Sequence, residues 1–400
     1  MENKLDKIIK QNTETTWFDV KDGFDIVIGN PPYVQVPKGI FSPNQFPYSE
    51  GKDKGKQNLY KVFVECSYNL LKPNGVATMI VQSSLMCDVS SQYTRELLLT
   101  KTTIKEIVEF SKKAKSKEGQ VFDSVLQGTC IYNFTKKNTN PKHKFNVSID
   151  NDVTTIPKLK YETLNQQQLI TIYPNGYFIP LVKNGEFEIV QNLNKNSKPL
   201  NQFIEAISQG DINLTVESKF FSSILTDVVL LRGKNTHKYN IDYENEEYIQ
   251  NNHKSNIVLV NQKTVCFVCQ QITGTTDKFR LHFAITEKSK NFIFGNSVNK
   301  FNLKNEKYNQ FILAILNSKL MDWYFRKTST NNHVNGYEIE QLPIIIGSDE
   351  VISKFEVLVE KIITKKTIGE DSNVEEKEID AMVYALYGLG EAEIQIIEKK

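Results

Sequence analysis

The alternation of apolar and polar positions divides the chain into short segments of distinct habit. In residues 1–11, Leu5, Ile8 and Ile9 recur on one face of a short helix. Phe24-Asp25-Ile26-Val27-Ile28 is an apolar run stopped by Gly29-Asn30-Pro31-Pro32. Such a run, closed by turn residues, predicts a strand buried on both faces, the habit of parallel sheets. Residues 34–57 are polar and rich in Gly, Pro and Lys, which predicts a long surface loop. Leu59, Val62, Phe63, Cys66 and Leu70 follow helical spacing, and Lys72-Pro73-Asn74-Gly75 ends that helix. Val76–Val81 then reads as a second buried strand, Ser91–Leu99 as a helix, and Ile104–Phe110 and Thr129–Phe134 as further strands. This succession describes part of a doubly wound α/β sheet.

The pattern turns polar and basic around Lys136–Val147, which sets a boundary between a first domain over 1–140 and a connector over 141–195. From 196 to 345, short strand-like runs (Val228–Leu231, Ile257–Val260, Val265–Cys269, Arg280–Ile285) alternate with Asn/Gly/Ser/Thr loops. One strongly apolar helix is predicted over Tyr308–Phe325, so this domain is α+β. The final segment, 346–400, reads as two helices around the acidic linker Gly369–Glu378.

Composition narrows the classes. At 400 residues, two to three domains are expected. Lys+Arg 49 against Asp+Glu 47 leaves a net charge of +2, which excludes a globally basic binder but not a local cationic patch. Apolar stretches such as Phe311–Leu316 fall far short of the roughly 18 residues that span a bilayer, so no membrane partner is expected. The charged N-terminus shows no apolar signal segment, and five scattered cysteines form no disulfide framework. A cytoplasmic protein is the expectation.

The chemistry concentrates in Asn30-Pro31-Pro32-Tyr33, at the carboxyl end of a predicted strand, where open α/β sheets bind ligands. An exocyclic purine amine is a poor nucleophile because its lone pair is delocalised into the ring. The Asn30 amide oxygen and the Pro31 carbonyl could each accept one of its N–H groups and stabilise charge developing on methyl transfer. Two prolines fix φ and remove competing donors, and a residue before proline is biased to an extended conformation that aims the Asn30 side chain outward. Tyr33 would lie against the base, a stack worth about 1–3 kcal/mol. Taken without its context, the tetrapeptide is also an ordinary strand-ending turn.

In that context FDIVIGNPPY resembles motif IV of the DNA amino-methyltransferases that modify adenine N6. The downstream order resembles the gamma class, especially type IIG restriction-modification enzymes and TaqI-like methyltransferases. Gln57-Asn58-Leu59-Tyr60…Phe63 is similar to the (D/N)LY..F segment of the family. The resemblance places Pro32, Leu59, Tyr60 and Phe63 near the methyl donor, S-adenosylmethionine. Leu71-Lys72-Pro73-Asn74-Gly75-Val76 and Ile80-Val81-Gln82-Ser83-Ser84 match the next helix, turn and strand. Gly119-Gln120-Val121-Phe122 resembles motif VIII, which implies that Phe122 holds the flipped base from its second face; the alternative for Phe122 is a core position. Leu230-Leu231-Arg232-Gly233, Leu316-Asn317-Ser318-Lys319-Leu320, Ile339-Glu340-Gln341-Leu342-Pro343 and Ile379-Asp380…Tyr384-Ala385-Leu386-Tyr387-Gly388-Leu389 resemble the type IIG target-recognition region. The resemblance implies double-stranded DNA as partner, a flipped adenine as substrate and residues 196–345 as the part that chooses the site.

One departure has structural weight. The family carries a glycine-rich donor-binding turn well upstream of NPPY, whereas 29 residues precede Asn30 and no Gly-x-Gly occurs among them. Without the strand that bears that turn, Phe24–Ile28 becomes an exposed apolar edge. Residues 1–20 would then fold over it, or the chain would self-associate, or a second polypeptide would supply the missing half. A non-catalytic specificity subunit or a truncated remnant is the competing reading.

Weaker signals remain open at this stage. Lys112, Lys113, Lys115 and Lys117 form a solvated loop or contact phosphate. Arg232, Lys234, Arg280 and Lys300 are surface charges or reach phosphates and guanine edges. Cys266 and Cys269 lie three apart in a strand-like run, on opposite faces, which fits core packing and not a metal site. The five histidines have no metal-ligand spacing, no metal is expected, and Trp323-Tyr324-Phe325 reads as core.

Overall fold

The structure is a computed structural model that describes residues 22–399 apart from 38, 53–56, 111–118, 123–126, 227, 244–246, 251–265, 275, 288–290 and 331. The expected helix over 1–11, any cover that residues 1–20 provide, the lysine run 112–117 and the strand 257–260 lie outside the described residues. Two compact units follow one another, Met1–Gln191 and Asn192–Lys400.

The first unit is a six-stranded sheet flanked by helices. Its main elements are β1 (Phe24–Gly29), α1 (Leu59–Leu70), β2 (Leu71–Gln82), α2 (Gln92–Lys101), β3 (Thr103–Phe110), β4 (Thr129–Thr135), β5 (Lys144–Asn151) and β6 (Glu162–Asn165). The sheet order is β1-β2-β4-β3-β5-β6. Strands β1, β2, β3 and β5 share one direction, and β4 and β6 run against them. The α/β reading holds, with an antiparallel strand inserted between two that run parallel. Four strands therefore present their carboxyl ends at one edge, together with the start of β4.

The turn residues after α1 do not delay the next strand. Leu71 is already extended and accepts no further helical continuation (φ −73°, ψ 142°). Pro73-Asn74-Gly75 sits inside β2 as an irregularity, with Asn74 left-handed at φ 65° and a register shift against Phe24/Ile26. The polar segment 34–57 is not a free loop either. Phe41 and Phe46 are buried with Val62 of α1. The Glu65 carboxylate accepts from the Ser49 N–H (2.8 Å) and hydroxyl (2.7 Å), and the Gln57 amide donates to the Ser49 carbonyl (2.9 Å). Composition marked this segment as polar but could not show that its few aromatics form a satellite core.

Residues 141–195, expected as a connector, supply β5 and β6 to the same sheet. Gln166 is buried and its amide bonds the Ile104 N–H and the carbonyls of Leu99 and Thr102. Arg95, fully buried, donates to the carbonyls of Gly176, Leu85 and Asp88 and lies against the Phe178 ring. A guanidinium spread over three carbonyls ties the 173–179 segment to α2.

The second unit contains two four-stranded sheets. One joins β7 (Ser208–Gln209), β14 (Val298–Phe301), β11 (Phe267–Gln270) and β12 (Phe283–Ile285), in the order β7-β14-β11-β12; the other joins β8 (Phe221–Ser222), β10 (Glu247–Ile249), β9 (Val228–Leu231) and β13 (Asn291–Phe294), in the order β8-β10-β9-β13. The helix predicted over Tyr308–Phe325 is two, α3 (Asn309–Asn317) and α4 (Lys319–Thr328). Ser318 between them is extended, and its hydroxyl caps α4 by accepting from the Met321 N–H. Asn317 exchanges two hydrogen bonds with the Phe283 backbone, which anchors the break to β12. Apolar periodicity alone could not reveal a break made by side-chain bonds to a distant strand. Trp323, Tyr324 and Phe325 are core. The C-terminal segment holds three helices, α5 (Asp349–Thr367), α6 (Asn373–Leu386) and α7 (Glu391–Glu398), where two were expected. Cys266 and Cys269 are buried, with burial pushing both thiols up to about 12. Among the described residues there is no metal-ligating cluster, and no helix is long and apolar enough to cross a membrane.

Candidate active site

β1 is the first strand of its sheet, and this corrects the expected two-sided burial: Ile26 and Ile28 are 64% and 79% exposed. Among the described residues the apolar run has a partner along one side only, β2, and none of them covers Ile26 and Ile28 as such a run requires. Gly29 ends the strand with its α-carbon against β2; a Cβ there would meet the Met79 sulfur at 2.7 Å. Asn30 follows, exposed, and its side chain makes no hydrogen bond to any described residue. Pro31 is buried and Pro32 exposed. The amide is therefore presented outward from the sheet's carboxyl edge, as the residue before a proline favours.

Tyr33 joins this edge to two other aromatics. Its ring meets Tyr60 edge to face at 6.4 Å between centroids and Phe122 at 6.3 Å. Tyr33 and Phe122 touch each other at 79°, so they do not stand apart as parallel walls. A base stacked between Tyr33 and Phe122 would require the two rings to move apart. The Tyr33 hydroxyl is buried without a hydrogen-bond partner among the described residues, and burial, with Cys130 and Tyr60 nearby, pushes its pKa well above the usual phenol range. An unsatisfied buried hydroxyl is a cost of about 1–3 kcal/mol, so the ring and not the oxygen is the useful part of Tyr33.

The helix behind this aromatic pair is fixed from its N-terminus. The Asn58 side chain caps α1 and donates to the Gln82 amide oxygen (3.3 Å), and Gln82 donates to Gln127. Tyr60 is fully buried, with its hydroxyl between the hydroxyls of Ser84 (3.2 Å) and Ser91 (3.0 Å). Leu59 and Phe63 are half-buried. The segment leading to Phe122 rests on a capped turn: Asp152 accepts from the Thr154 and Thr155 N–H groups, and a Cβ on Gly119 would stand 3.1 Å from the Asp152 side chain. Gln82, Ser84, Ser91 and Asp152 carry no local sequence signal of a place beside the site. Their roles depend on strand neighbours far apart in the chain, for which no local pattern exists.

Glu109 is a second feature that composition could not reveal. It lies at the carboxyl end of β3, opposite Cys130, and accepts from the Asp150 N–H (2.9 Å). Burial outweighs that bond and raises its pKa to about 7. With an unfolded value near 4.5, folding stability from this group is complete below pH 4.5 and is lost as pH rises through 7. Glu109→Gln is expected to remove a decline on the order of 2 kcal/mol across that window. Thermal unfolding of both proteins from pH 4.5 to 8 checks it, and parallel pH profiles would contradict it.

The cations expected to face DNA separate into different environments. Arg232 pairs with Glu247, and Lys234 is largely exposed with its ammonium 3.7 Å from the same carboxylate. Lys300 is engaged by the Asp211 carboxylate and lies over the Phe294 ring. Arg280 corrects its expectation outright. It is 1% exposed, donates to Thr273, Ser329 (2.8 Å) and the His333 carbonyl (3.1 Å), and packs over the Phe325 ring. Its charge is balanced inside the unit by Glu338 and Asp322, so no edge of it is offered to a ligand.

This fold and this edge define an α/β unit of methyltransferase type followed by a separate α+β unit. Residues 1–116 match the Eco57I restriction-modification methylase family, and residues 228–344 match the TaqI-like C-terminal specificity domain. One segment of the chain thus resembles a restriction-modification methylase and another a specificity domain.

Among its relatives is a Methanocaldococcus jannaschii protein named type II restriction enzyme and methyltransferase RM.MjaORFECS2P, 23% identical over 404 residues. That alignment covers 93% of this chain and 32% of the relative, so the chain spans about a third of that protein's length. Modification methylase CviBIII of Paramecium bursaria Chlorella virus NC1A is 33% identical over 78 residues, 19% of each chain. The type IIL restriction-modification enzyme MmeI, solved in complex with DNA, superposes with a TM-score of 0.56 at 12% identity, over 93% of this chain and 56% of that one. This likeness establishes a shared fold.

Proposed function

We propose that this chain is the base-capturing and site-selecting part of a DNA adenine-N6 methyltransferase of a restriction-modification system. The observation that carries this reading is an exposed Asn30, its side chain without a hydrogen bond among the described residues, next to Tyr33, which touches Phe122, at the carboxyl edge of the sheet. In this account the target adenine leaves the duplex at an unpairing cost of a few kcal/mol and displaces the edge of Phe122 to stack on Tyr33. The Asn30 amide oxygen and the Pro31 carbonyl then accept the two amine hydrogens and draw the nitrogen toward tetrahedral geometry. No general base or metal enters this reading.

The residues described fit the base and do not fit the donor. S-adenosylmethionine, when bound, supplies an activated methyl group on a sulfonium, and no Gly-x-Gly turn lies among residues 1–29 to cradle it. The Tyr60 hydroxyl is already satisfied by two serines, and Ile26 and Ile28 of β1 are exposed. We place the donor-binding element along β1, on the side away from β2. A purely DNA-reading subunit is the alternative, and saturable micromolar binding of S-adenosylmethionine by this chain alone would exclude it.

The test of base capture needs no donor. A duplex with 2-aminopurine at the target position is expected to gain fluorescence on binding, because the base leaves the stack. Tyr33→Phe should keep this gain, since it retains the ring that stacks on the base. Tyr33→Ala should weaken capture by roughly 5- to 100-fold while the duplex stays bound. Equal loss in both variants would show that the hydroxyl, not the ring, holds the base.

A further inference from the structure

Arg232 differs from the other cations of the second unit in how it is held. It directly follows β9, and its backbone N–H donates to the Asn235 side chain (3.3 Å), which fixes the turn. Its Nη2 donates to one carboxylate oxygen of Glu247 on β10 (2.8 Å), and its Nε lies 2.6 Å from the other without forming a hydrogen bond. Its guanidinium carbon stands 4.9 Å from the centre of the Phe221 ring on β8. Three neighbouring strands therefore restrict where this one long side chain lies.

A guanidinium carries five N–H donors in a rigid fork. The Glu247 contact engages one Nη2 N–H and lies beside Nε. The end-on edge, one N–H from Nη1 and the other from Nη2, has no acceptor among the described residues. The pair is partly open to solvent, with the Arg232 and Glu247 side chains 24% and 31% exposed. As a stabilising contact such a pair is worth at most about 1 kcal/mol. As a presentation device it removes the rotamer freedom that a free arginine would lose on binding.

We infer that Arg232 reads a guanine through its Nη1/Nη2 edge, and that Glu247 is the positioning residue that aims it. The spacing of that edge matches the O6 and N7 acceptors that guanine shows in the major groove. The adjacent carboxylate argues against a phosphate as the target, because it cancels the arginine charge and would repel an anion. A neutral base edge has no such conflict. This inference rests on the DNA-reading role proposed above and adds to it the residue pair and the base.

Selection of bound duplexes from a randomised library by the full chain tests it. The unmodified protein is expected to enrich a guanine at one position. Arg232→Ala should lose roughly 10- to 100-fold of preference at that position alone, with the salt dependence of binding unchanged. Glu247→Gln should give a smaller loss at the same position, and Arg232→Lys, which keeps the charge, should not restore the preference. A uniform loss of affinity for all sequences, with a shallower salt slope, would make Arg232 a phosphate contact and overturn the assignment. Unchanged base preferences in a folded Arg232→Ala protein would also overturn it. An unmodified protein that enriches no sequence would instead refute the DNA-reading role, and this assignment with it.

Discussion

Asn30→Ala is expected to lower methyl transfer by about 100- to 1000-fold while changing duplex affinity by less than about twofold. The asymmetry follows from where the amide acts. An acceptor that bonds an amine strengthens as that amine gains positive charge, so its removal raises the barrier more than it weakens the ground state. The structure offers no compensating loss: the Asn30 side chain is exposed and bonds nothing among the described residues, so alanine leaves no cavity and no orphaned partner. Transfer measured with the donor-binding half present, beside duplex affinity measured on the same preparation, separates the two terms. A parallel collapse of affinity would make Asn30 a binding or structural residue.

Arg280→Leu is expected to cost the second unit about 3–5 kcal/mol of stability, a loss typical of breaking a buried charge network from one side. Glu338 is pushed up to about 7 by burial even with Arg280 beside it, and Asp322 holds the Arg280 and Leu281 N–H groups. Removing the guanidinium leaves Thr273, Ser329 and the His333 carbonyl without their shared donor and Glu338 without its neighbouring positive charge, while Asp322 keeps the two backbone N–H groups and Arg326. Chemical unfolding reads the effect, and Arg232→Ala is the control, since substitutions at partly exposed positions usually fall within about 0.5 kcal/mol. A change below about 1 kcal/mol for Arg280→Leu would contradict the burial described here.

The two arginines show where the sequence is informative and where it stops. Arg232 follows the strand-like run Val228–Leu231 and Arg280 opens the run Arg280–Ile285, and neither local pattern tells a buried guanidinium from an exposed one. What separates them is Thr273, Ser329, His333 and Glu338 around one, and Phe221 and Glu247 around the other, all brought in by the fold. By contrast, β1 through β4, α1 and α2 were legible within a few residues, because each is a local pattern ended by its own turn chemistry. The NPPY corner was legible for the same reason. The break at Ser318, the small core under residues 34–57 and the antiparallel insertion of β4 depend on contacts between distant segments, which no window of sequence contains. The apolar edge of β1 is a mixed case: the run itself predicts burial, and only the missing neighbour strand predicts its exposure.

The most direct measurement is the structure of the chain bound to duplex DNA containing its target site. This account predicts one adenine extruded, its ring on Tyr33, with the exocyclic nitrogen about 2.7–3.2 Å from both the Asn30 amide oxygen and the Pro31 carbonyl. A fully stacked duplex at that site, or an Asn30 side chain bonded to phosphate, would contradict it.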